Sequence, residues 1–137
     1  MQNIEKSLEE KARQALEAVS FAKLLGIELA ELRDGEVVMR MKMRDELRQP
    51  HGVLHGGATA SLIDTAMAFA VITKLAADEK ATTVDLTVHF LRPVVDEDVT
   101  CKAKIVRAGK RLLTVSADVF SDNGKQIATA ISTYSKV

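Results

Sequence analysis

The sequence predicts an α+β domain in which one antiparallel sheet wraps around a single long helix. Three observations lead to this fold class. Residues 58–77 are apolar on almost every side, so a helix there has to be enclosed by the rest of the protein. Much of the remaining chain alternates apolar and polar residues, as strands with one buried face do. The segments between these strands carry the Gly, Asp, Asn and Pro residues of short antiparallel connections.

The chain before the central helix is predicted to form one helix and two strands. Residues 3–18 place apolar side chains at helical spacing, which indicates an additional amphipathic helix at the N-terminus. After an interruption at Gly26, residues 27–32 and 36–43 predict two strands around the turn "RDGE". The buried face of the second strand is predicted to consist of Val37, Met39, Met41 and Met43.

The chain after the central helix is predicted to form four strands. They span about residues 82–91, 98–107, 111–121 and 126–136, and turn-forming residues connect them. In the first of the four, alternation assigns the core face to Val84, Leu86, Val88 and Phe90. The opposite face is then assigned to Thr83, Asp85, Thr87 and His89.

Length and composition exclude several classes of protein. The 137 residues fit a single domain, 1–137. Lys plus Arg equals Asp plus Glu at 19 each, so there is no basic excess for binding nucleic acid. The single cysteine excludes an internal disulfide framework and a cysteine-rich metal site. The N-terminus has no secretory apolar run, and Asp64 and Lys74 interrupt the longest apolar stretch, so we expect a cytoplasmic protein without a membrane segment.

Asp64 is the residue that most needs an explanation. It lies in the predicted central helix, where its neighbours are almost all apolar and no cation stands three or four residues away. A carboxylate buried there as an anion costs several kcal/mol unless a group pairs with it or uses it. A helix aspartate that merely reaches solvent is the commoner case across proteins, but perturbed acids are concentrated at functional sites. We therefore predict that Asp64 is functional.

His55, Gly56 and Gly57 open the same helix. The glycines could simply permit a tight loop. The alternative is a binding site, because the first amides of a helix are unpaired and carry the positive end of its dipole. Glycine lets a ligand approach this backbone closely, and the site suits either a phosphate or a carbonyl oxygen that gains negative charge.

Other polar residues offer weaker candidates. Gln49, in the loop before the helix, has an amide that can donate to a carbonyl, and Thr83 opens the strand "TVDLTVHF". His51 and His89 lack the spacing of metal ligands, and Cys101 alternates with apolar residues as a core residue does. No metal site is predicted.

The run "QPHGVLHGGATASLIDTAMAFA", followed by "TVDLTVHFLRPV", resembles the hotdog-fold acyl-CoA thioesterases of the phenylacetate-degradation type. The resemblance extends from "FAKLLGIEL" to the C-terminus. The hotdog fold is a long helix wrapped by an antiparallel sheet, which is the fold class that the residue patterns predict. The resemblance therefore also implies a role for each candidate residue.

The resemblance implies that the Gly56 amide and the Gln49 side chain polarise the thioester carbonyl. It implies that Asp64 acts as general base for water or as nucleophile, and that Thr83 helps to hold the water. Family members often carry asparagine at the position of Gln49 and serine at that of Thr83, which keeps the hydrogen-bonding groups but changes their reach. A thioester is already an activated acyl group, so no metal or other cofactor is expected.

The same resemblance makes His55 a loop-shaping residue and not a base. With Gly57, it is predicted to contribute to substrate binding. We expect the acyl pocket to draw on Met67, Leu47 and the N-terminal helix.

The spacing of Gly56 and Asp64 predicts that two chains build one site. Eight residues of helix separate them by roughly 12 Å, too far for both to reach one thioester carbon. A second chain related by a two-fold axis can bring its Asp64 to the first chain's Gly56. We therefore expect a homodimer at least, and a homotetramer built as a dimer of dimers.

Two other functions remain open from the sequence. A hotdog hydratase or dehydratase would need a catalytic histidine, and His55 would then be essential. A non-catalytic acyl-CoA-binding protein would retain the fold alone. The acyl group is also open, with aryl-acetyl, hydroxybenzoyl and medium aliphatic groups all compatible with the sequence.

Overall fold

A computed structural model describes residues 2–137, with side chains described from residue 7 onward. The helices are α1 (Gln2–Glu17), α2 (Ser20–Leu25) and α3 (Gly56–Ile72), and a short 3-10 helix (Asp45–Leu47) precedes α3. The strands are β1 (Ile27–Arg33), β2 (Glu36–Met41), β3 (Ala81–Phe90), β4 (Val99–Ala108), β5 (Leu112–Ser121) and β6 (Gln126–Lys136).

The six strands form one antiparallel sheet in the order β1-β2-β4-β5-β6-β3. The sheet wraps around α3, which contacts five of the strands, and α1 packs on β1. Side chains from α3 and the inner face of the sheet form the core, among them Met39, Met41, Leu62, Ile63, Met67, Leu113, Val115 and Val119. The predicted fold class, including the extra N-terminal helix, is confirmed.

The ends of some elements differ from the prediction. The central helix stops at Ile72 and not at residue 77, although the sequence stays largely apolar beyond it. Just past this end, the Thr73 hydroxyl donates to the Ala70 carbonyl and accepts a 2.8 Å hydrogen bond from the Gly35 amide in the β1–β2 turn. Helix α2 was not predicted, since its six residues are too few for a periodic pattern. It ends at Gly26, whose φ of 73° is in the left-handed region.

The predicted faces of β3 are wrong at a β-bulge. Thr83 pairs with Tyr134 and Asp85 with Thr133, so Val84 is an extra residue without a partner on β6. A bulge redirects the side chains beside it. Consequently Val84 is 59% exposed and does not belong to the core. Beyond the bulge the predicted alternation holds, since Leu86 and Val88 pack against the core, but Phe90 at the strand end is 56% exposed.

Asp85 and β6 hold this bulge in place. The Asp85 carboxylate accepts a 2.8 Å hydrogen bond from the Thr133 amide. The hydroxyl of Ser132 donates to the carbonyl oxygen of Asp85 over 2.6 Å. The bulge therefore has its own hydrogen bonds, and it brings Thr83 to the side of the sheet that faces α3.

The enclosure of α3 is incomplete within one chain. A stripe at helical spacing stays exposed or half-buried, and it consists of Gly57, Ser61, Asp64, Ala68 and Ile72. Strand β3 lies beside Asp64 and forms one edge of the sheet, with most of its ten residues exposed. A single chain therefore covers most of α3 and leaves this stripe open.

None of the helices that the structure describes is both long enough and apolar enough to pass through a membrane.

Candidate active site

The loop before α3 fixes the backbone of Gln49. Its amide donates to the Val53 carbonyl over 2.9 Å, and its carbonyl accepts from the Gly52 amide over 2.9 Å. Gly52 adopts a φ of 84°, which this tight turn requires and which glycine adopts without strain. The neighbouring Arg48 clamps the loop by donating to the carbonyl of Gly52 and to the carboxylate of Asp96. Gln49 is thus held on a braced turn, with its side chain half-buried.

His55 caps the N-terminus of α3. Its backbone is extended, and its Nδ1 atom accepts a 2.8 Å hydrogen bond from the Gly57 amide. A Cβ atom at Gly57 would lie 2.9 Å from that Nδ1, so the cap explains the second glycine. The amide of Ala58 donates to the His55 carbonyl. The His55 side chain therefore caps the helix, and the Gly57 amide, which donates to it, is not free to bind a ligand.

The Gly56 amide is the first of the helix and has no acceptor among the described residues. The Phe90 ring packs against Gly56, where an added Cβ atom would lie 3.3 Å from two ring carbons. The helix dipole adds positive potential at this amide. Gly56 therefore presents an unpaired donor beside an aromatic side chain.

Gln49 and Gly56 line one cavity of about 370 Å³. Thr59 contributes a hydroxyl-bearing side chain from the first turns of α3. Met67 and Leu47, which were expected to line the acyl pocket, are instead buried in the core and do not border this cavity. Most of the remaining lining is apolar, and it includes Val53, Leu54, Phe90, Leu91, Pro93, Val94 and Ile127.

Asp64 has two hydrogen-bond donors from the sheet. The Thr83 hydroxyl donates to its Oδ1 atom over 2.9 Å, and the Tyr134 hydroxyl lies 2.7 Å from the same oxygen. The expectation of an unpaired carboxylate is therefore corrected, because the partners come from β3 and β6 and not from its own helix. Asp64 is half-buried, and its Oδ2 atom has no hydrogen-bond donor among the described residues.

Tyr134 was missed by the sequence analysis. It lies 70 residues beyond Asp64 in the chain, and no local motif connects the two. One signal was available, since a tyrosine on the inner face of a strand usually needs a partner for its hydroxyl. Burial raises the pKa of Tyr134, the nearby Thr83 hydroxyl lowers it in part, and the Asp64 carboxylate raises it further. The phenol consequently stays protonated and can donate.

The structure divides the predicted site residues into two groups. Gln49 and Gly56 share the cavity at the start of α3, with His55 and Gly57 next to them. Asp64 and Thr83 are in direct contact two turns further along the helix, and neither borders that cavity. One group can donate hydrogen bonds to a carbonyl oxygen, and the other can accept a proton or attack a carbon. A reaction that uses both needs them brought together.

The remaining candidates lie apart from both groups. His51 and His89 are exposed, and no cluster of three metal-ligating side chains exists among the described residues. Cys101 is buried, and burial raises the pKa of its thiol to about 12. A thiol in this state is a poor nucleophile near neutral pH.

Comparison with known proteins identifies the family. The sequence profile of the thioesterase superfamily matches residues 51–128, which is more than half of the chain. The chain belongs to the thioesterase superfamily. The matched thioesterase region contains Gly56, Asp64 and Thr83 and begins two residues after Gln49. The predicted family and the prediction of an enzyme are thereby confirmed.

Relatives of this thioesterase are similar over most of their length. Human acyl-coenzyme A thioesterase 13 is 32% identical over 132 residues, which is 93% of each chain. The acyl-coenzyme A thioesterase PaaI of Escherichia coli is 32% identical over 109 residues, 78% of this chain and 75% of the relative. The structure of the E. coli PaaI protein from the phenylacetic acid degradation operon superposes with a TM-score of 0.90, at 25% identity, over 98% of this chain and 96% of the other.

Proposed function

We propose that this thioesterase hydrolyses an aryl or medium-chain acyl-CoA to the free acid and CoA. The observation that carries the proposal is the Asp64 carboxylate, held by two hydroxyl groups on a helix whose first amide is unpaired. A carboxylate can activate water or attack the thioester carbon, and a preorganised donor can stabilise the developing oxyanion. The acyl-CoA thioesterase relatives support the same substrate class.

In the proposed reaction the thioester carbonyl oxygen accepts hydrogen bonds from the Gly56 amide and the Gln49 side chain. These donors stabilise the negative charge that develops on the oxygen. As general base, Asp64 takes a proton from water while the water oxygen bonds to the carbonyl carbon. The C–S bond then breaks, the CoA sulfur takes up a proton, and the acid is released. As nucleophile, Asp64 would instead form an anhydride that water cleaves.

Thr83 has a defined place in this scheme. Its hydroxyl hydrogen is directed to Asp64 Oδ1, so its oxygen lone pairs remain free to accept a hydrogen bond from water. Thr83 thus holds the carboxylate and receives the attacking water at the same time.

We propose that the site lies between two chains of a homodimer. Gly56 and Asp64 are about 12 Å apart along one helix, which is too far for a shared reaction centre. The exposed edge of β3 and the open stripe of α3 lie next to Asp64 and offer a surface for a second copy. Unpaired edge strands readily add another strand. Two such dimers would form the proposed tetramer.

The cavity at Gly56 supports an apolar acyl group. Its lining is largely aliphatic, and the exposed Phe90 ring can pack against an aryl or alkyl chain. The experiment that tests the proposed function is thiol release from a panel of aryl-acetyl, hydroxybenzoyl and straight-chain acyl-CoAs. We expect equal amounts of free thiol and free acid from aryl or medium-chain substrates. Tight binding of acyl-CoA without thiol release would indicate a non-catalytic binding protein and overturn the proposal.

His55 separates the hydrolase from the rival hydratase. His55→Ala removes the cap of α3, which we expect to lower stability by about 1 kcal/mol and kcat by less than about 10-fold. His55→Asn keeps a capping side chain and should restore most of the stability. Thermal unfolding and steady-state hydrolysis measure both effects. Hydration of an enoyl-CoA by the unmutated protein, abolished in both variants, would favour the hydratase.

A further inference from the structure

Tyr134 is a buried polar side chain that contacts Asp64 and to which the proposed reaction gives no role. It lies near the end of β6, in register with Thr83 of β3 and Leu113 of β5. Only 2% of the residue is exposed, so its hydroxyl has no access to bulk water. The ring spans the core from the sheet to α3, and the hydroxyl ends at Asp64.

The Tyr134 hydroxyl is fixed by two atoms of one residue. Its oxygen lies 2.7 Å from Oδ1 of Asp64 and 2.9 Å from the backbone carbonyl oxygen of Asp64. The carbonyl belongs to the rigid helix, so it holds the phenol at a set position relative to the carboxyl group. Since the phenol stays protonated, its single hydrogen is shared between these two oxygens, and the carboxylate oxygen is the nearer acceptor.

The donors on the carboxyl group are distributed unequally. Thr83 and Tyr134 both approach Oδ1, whereas Oδ2 accepts no hydrogen bond from any residue that the structure describes. The terminal torsion of an aspartate is broad, so an unsupported carboxyl group would rotate. Two donors on one oxygen restrict that rotation and point the second oxygen away from them.

We propose that Tyr134 is a positioning residue that, with Thr83, anchors Oδ1 of Asp64 and leaves Oδ2 as the oxygen that reacts. This inference rests on the proposed hydrolysis, in which Oδ2 takes the proton of the water or bonds to the carbonyl carbon. Tyr134 itself touches neither water nor substrate. It acts by keeping the carboxyl group in one orientation before the substrate arrives.

Tyr134→Phe removes the hydroxyl and retains the ring in the core. We expect kcat to fall by about 10- to 100-fold, because a charge-assisted hydrogen bond is lost and the carboxyl group is no longer held. KM should stay within about twofold, since substrate-binding groups are untouched. In an Asp64→Asn background the same change should lower the residual rate by less than about twofold, because Tyr134 acts through Asp64.

Thr129→Val is the matched control. Thr129 is also on β6, and its hydroxyl also donates to a carboxylate, that of Asp118, over 2.8 Å. This variant should retain the kcat of the unmutated protein. A Tyr134→Phe variant that matches the control in kcat would overturn the inference, as would an equal loss from Tyr134→Phe with and without Asp64.

The chain contains a single tyrosine, so 3-fluorotyrosine labels Tyr134 alone and keeps its hydroxyl. This measurement does not depend on the folding of Tyr134→Phe. We expect the fluorine NMR resonance to shift on Asp64→Asn and to be unchanged by Thr129→Val. A resonance that does not shift on Asp64→Asn would contradict the contact between Tyr134 and Asp64. Failure of the unmutated protein to release thiol from any acyl-CoA would instead overturn the proposed function, whatever the fluorine signal does.

Discussion

Asp64→Asn is expected to lower kcat for acyl-CoA hydrolysis by about 10²–10⁴-fold, the usual contribution of a positioned base. The amide has nearly the same size as the carboxyl group, and its oxygen can still accept from Thr83 and Tyr134. It cannot take a proton from water or form an anhydride. Folding should therefore survive while the chemical step is lost, and thiol release by the purified variant measures the loss.

Asp118→Asn is a control for this substitution. Asp118 also accepts two hydrogen bonds on one oxygen, from Gln126 and Thr129, each 2.8 Å long. It lies on β5 and has no contact with Asp64 or the cavity at Gly56. The control should keep normal turnover. Near-normal turnover in a folded Asp64→Asn variant would refute the role of Asp64.

Gly56→Pro is expected to reduce kcat by about 10²–10³-fold relative to Gly56→Ala, the usual cost of losing one oxyanion donor. Proline replaces the amide hydrogen, which no other described residue accepts, with a ring carbon and also adds a Cβ atom. The first position of a helix favours proline, and His55, at φ −65° and ψ 132°, has the extended backbone that a following proline requires. Helix α3 should therefore form in the variant.

Gly56→Ala keeps the amide and adds a Cβ atom 3.3 Å from the Phe90 ring carbons. It reports the effect of the added Cβ atom, which proline also carries. Steady-state hydrolysis and thermal unfolding of both variants separate the lost donor from the added bulk. Equal kcat values for two folded variants would show that the Gly56 amide does not polarise the carbonyl.

The sequence predicted the sheet and the central helix because both depend on local patterns. Alternation along β2 assigned Val37, Met39 and Met41 to the core, and all three are buried. Met43 lies beyond the strand and is only partly buried. The predicted end of α3 was wrong, and the residue just beyond the observed end, Thr73, bonds to Gly35, which is far away in sequence. Apolar periodicity contains no information about such a bond.

The site was predicted in part for the same reason. Gln49 lies near the start of α3 because only a short loop separates them, and a local sequence motif can predict such a proximity. The contact of Thr83 with Asp64 requires the bulge at Val84. The sequence does not reveal this bulge, because an apolar residue at position 84 is also what a regular alternating strand would have. Tyr134 reaches Asp64 only through the folding of the last strand beside β3. Long-range contacts of this kind need the folded chain.

If two chains build each site, two inactive variants with substitutions in different halves of the site should restore activity when they form a mixed dimer. Asp64→Asn and Gln49→Ala are each expected to have low activity alone. In a mixed dimer, one site combines the intact Gln49 of one chain with the intact Asp64 of the other, and the second site carries both defects. Random pairing makes about half of the dimers mixed, so roughly a quarter of all sites should be whole if the interface is two-fold symmetric.

The decisive measurement is thiol release by the two variants refolded together, compared with the same amounts refolded separately. Mass spectrometry of the intact dimers verifies that mixed dimers are present. We expect the mixture to recover roughly a quarter of the unmutated activity, far above either parent. A mixture no more active than the mean of its parents, with mixed dimers present, would contradict a site built from two chains.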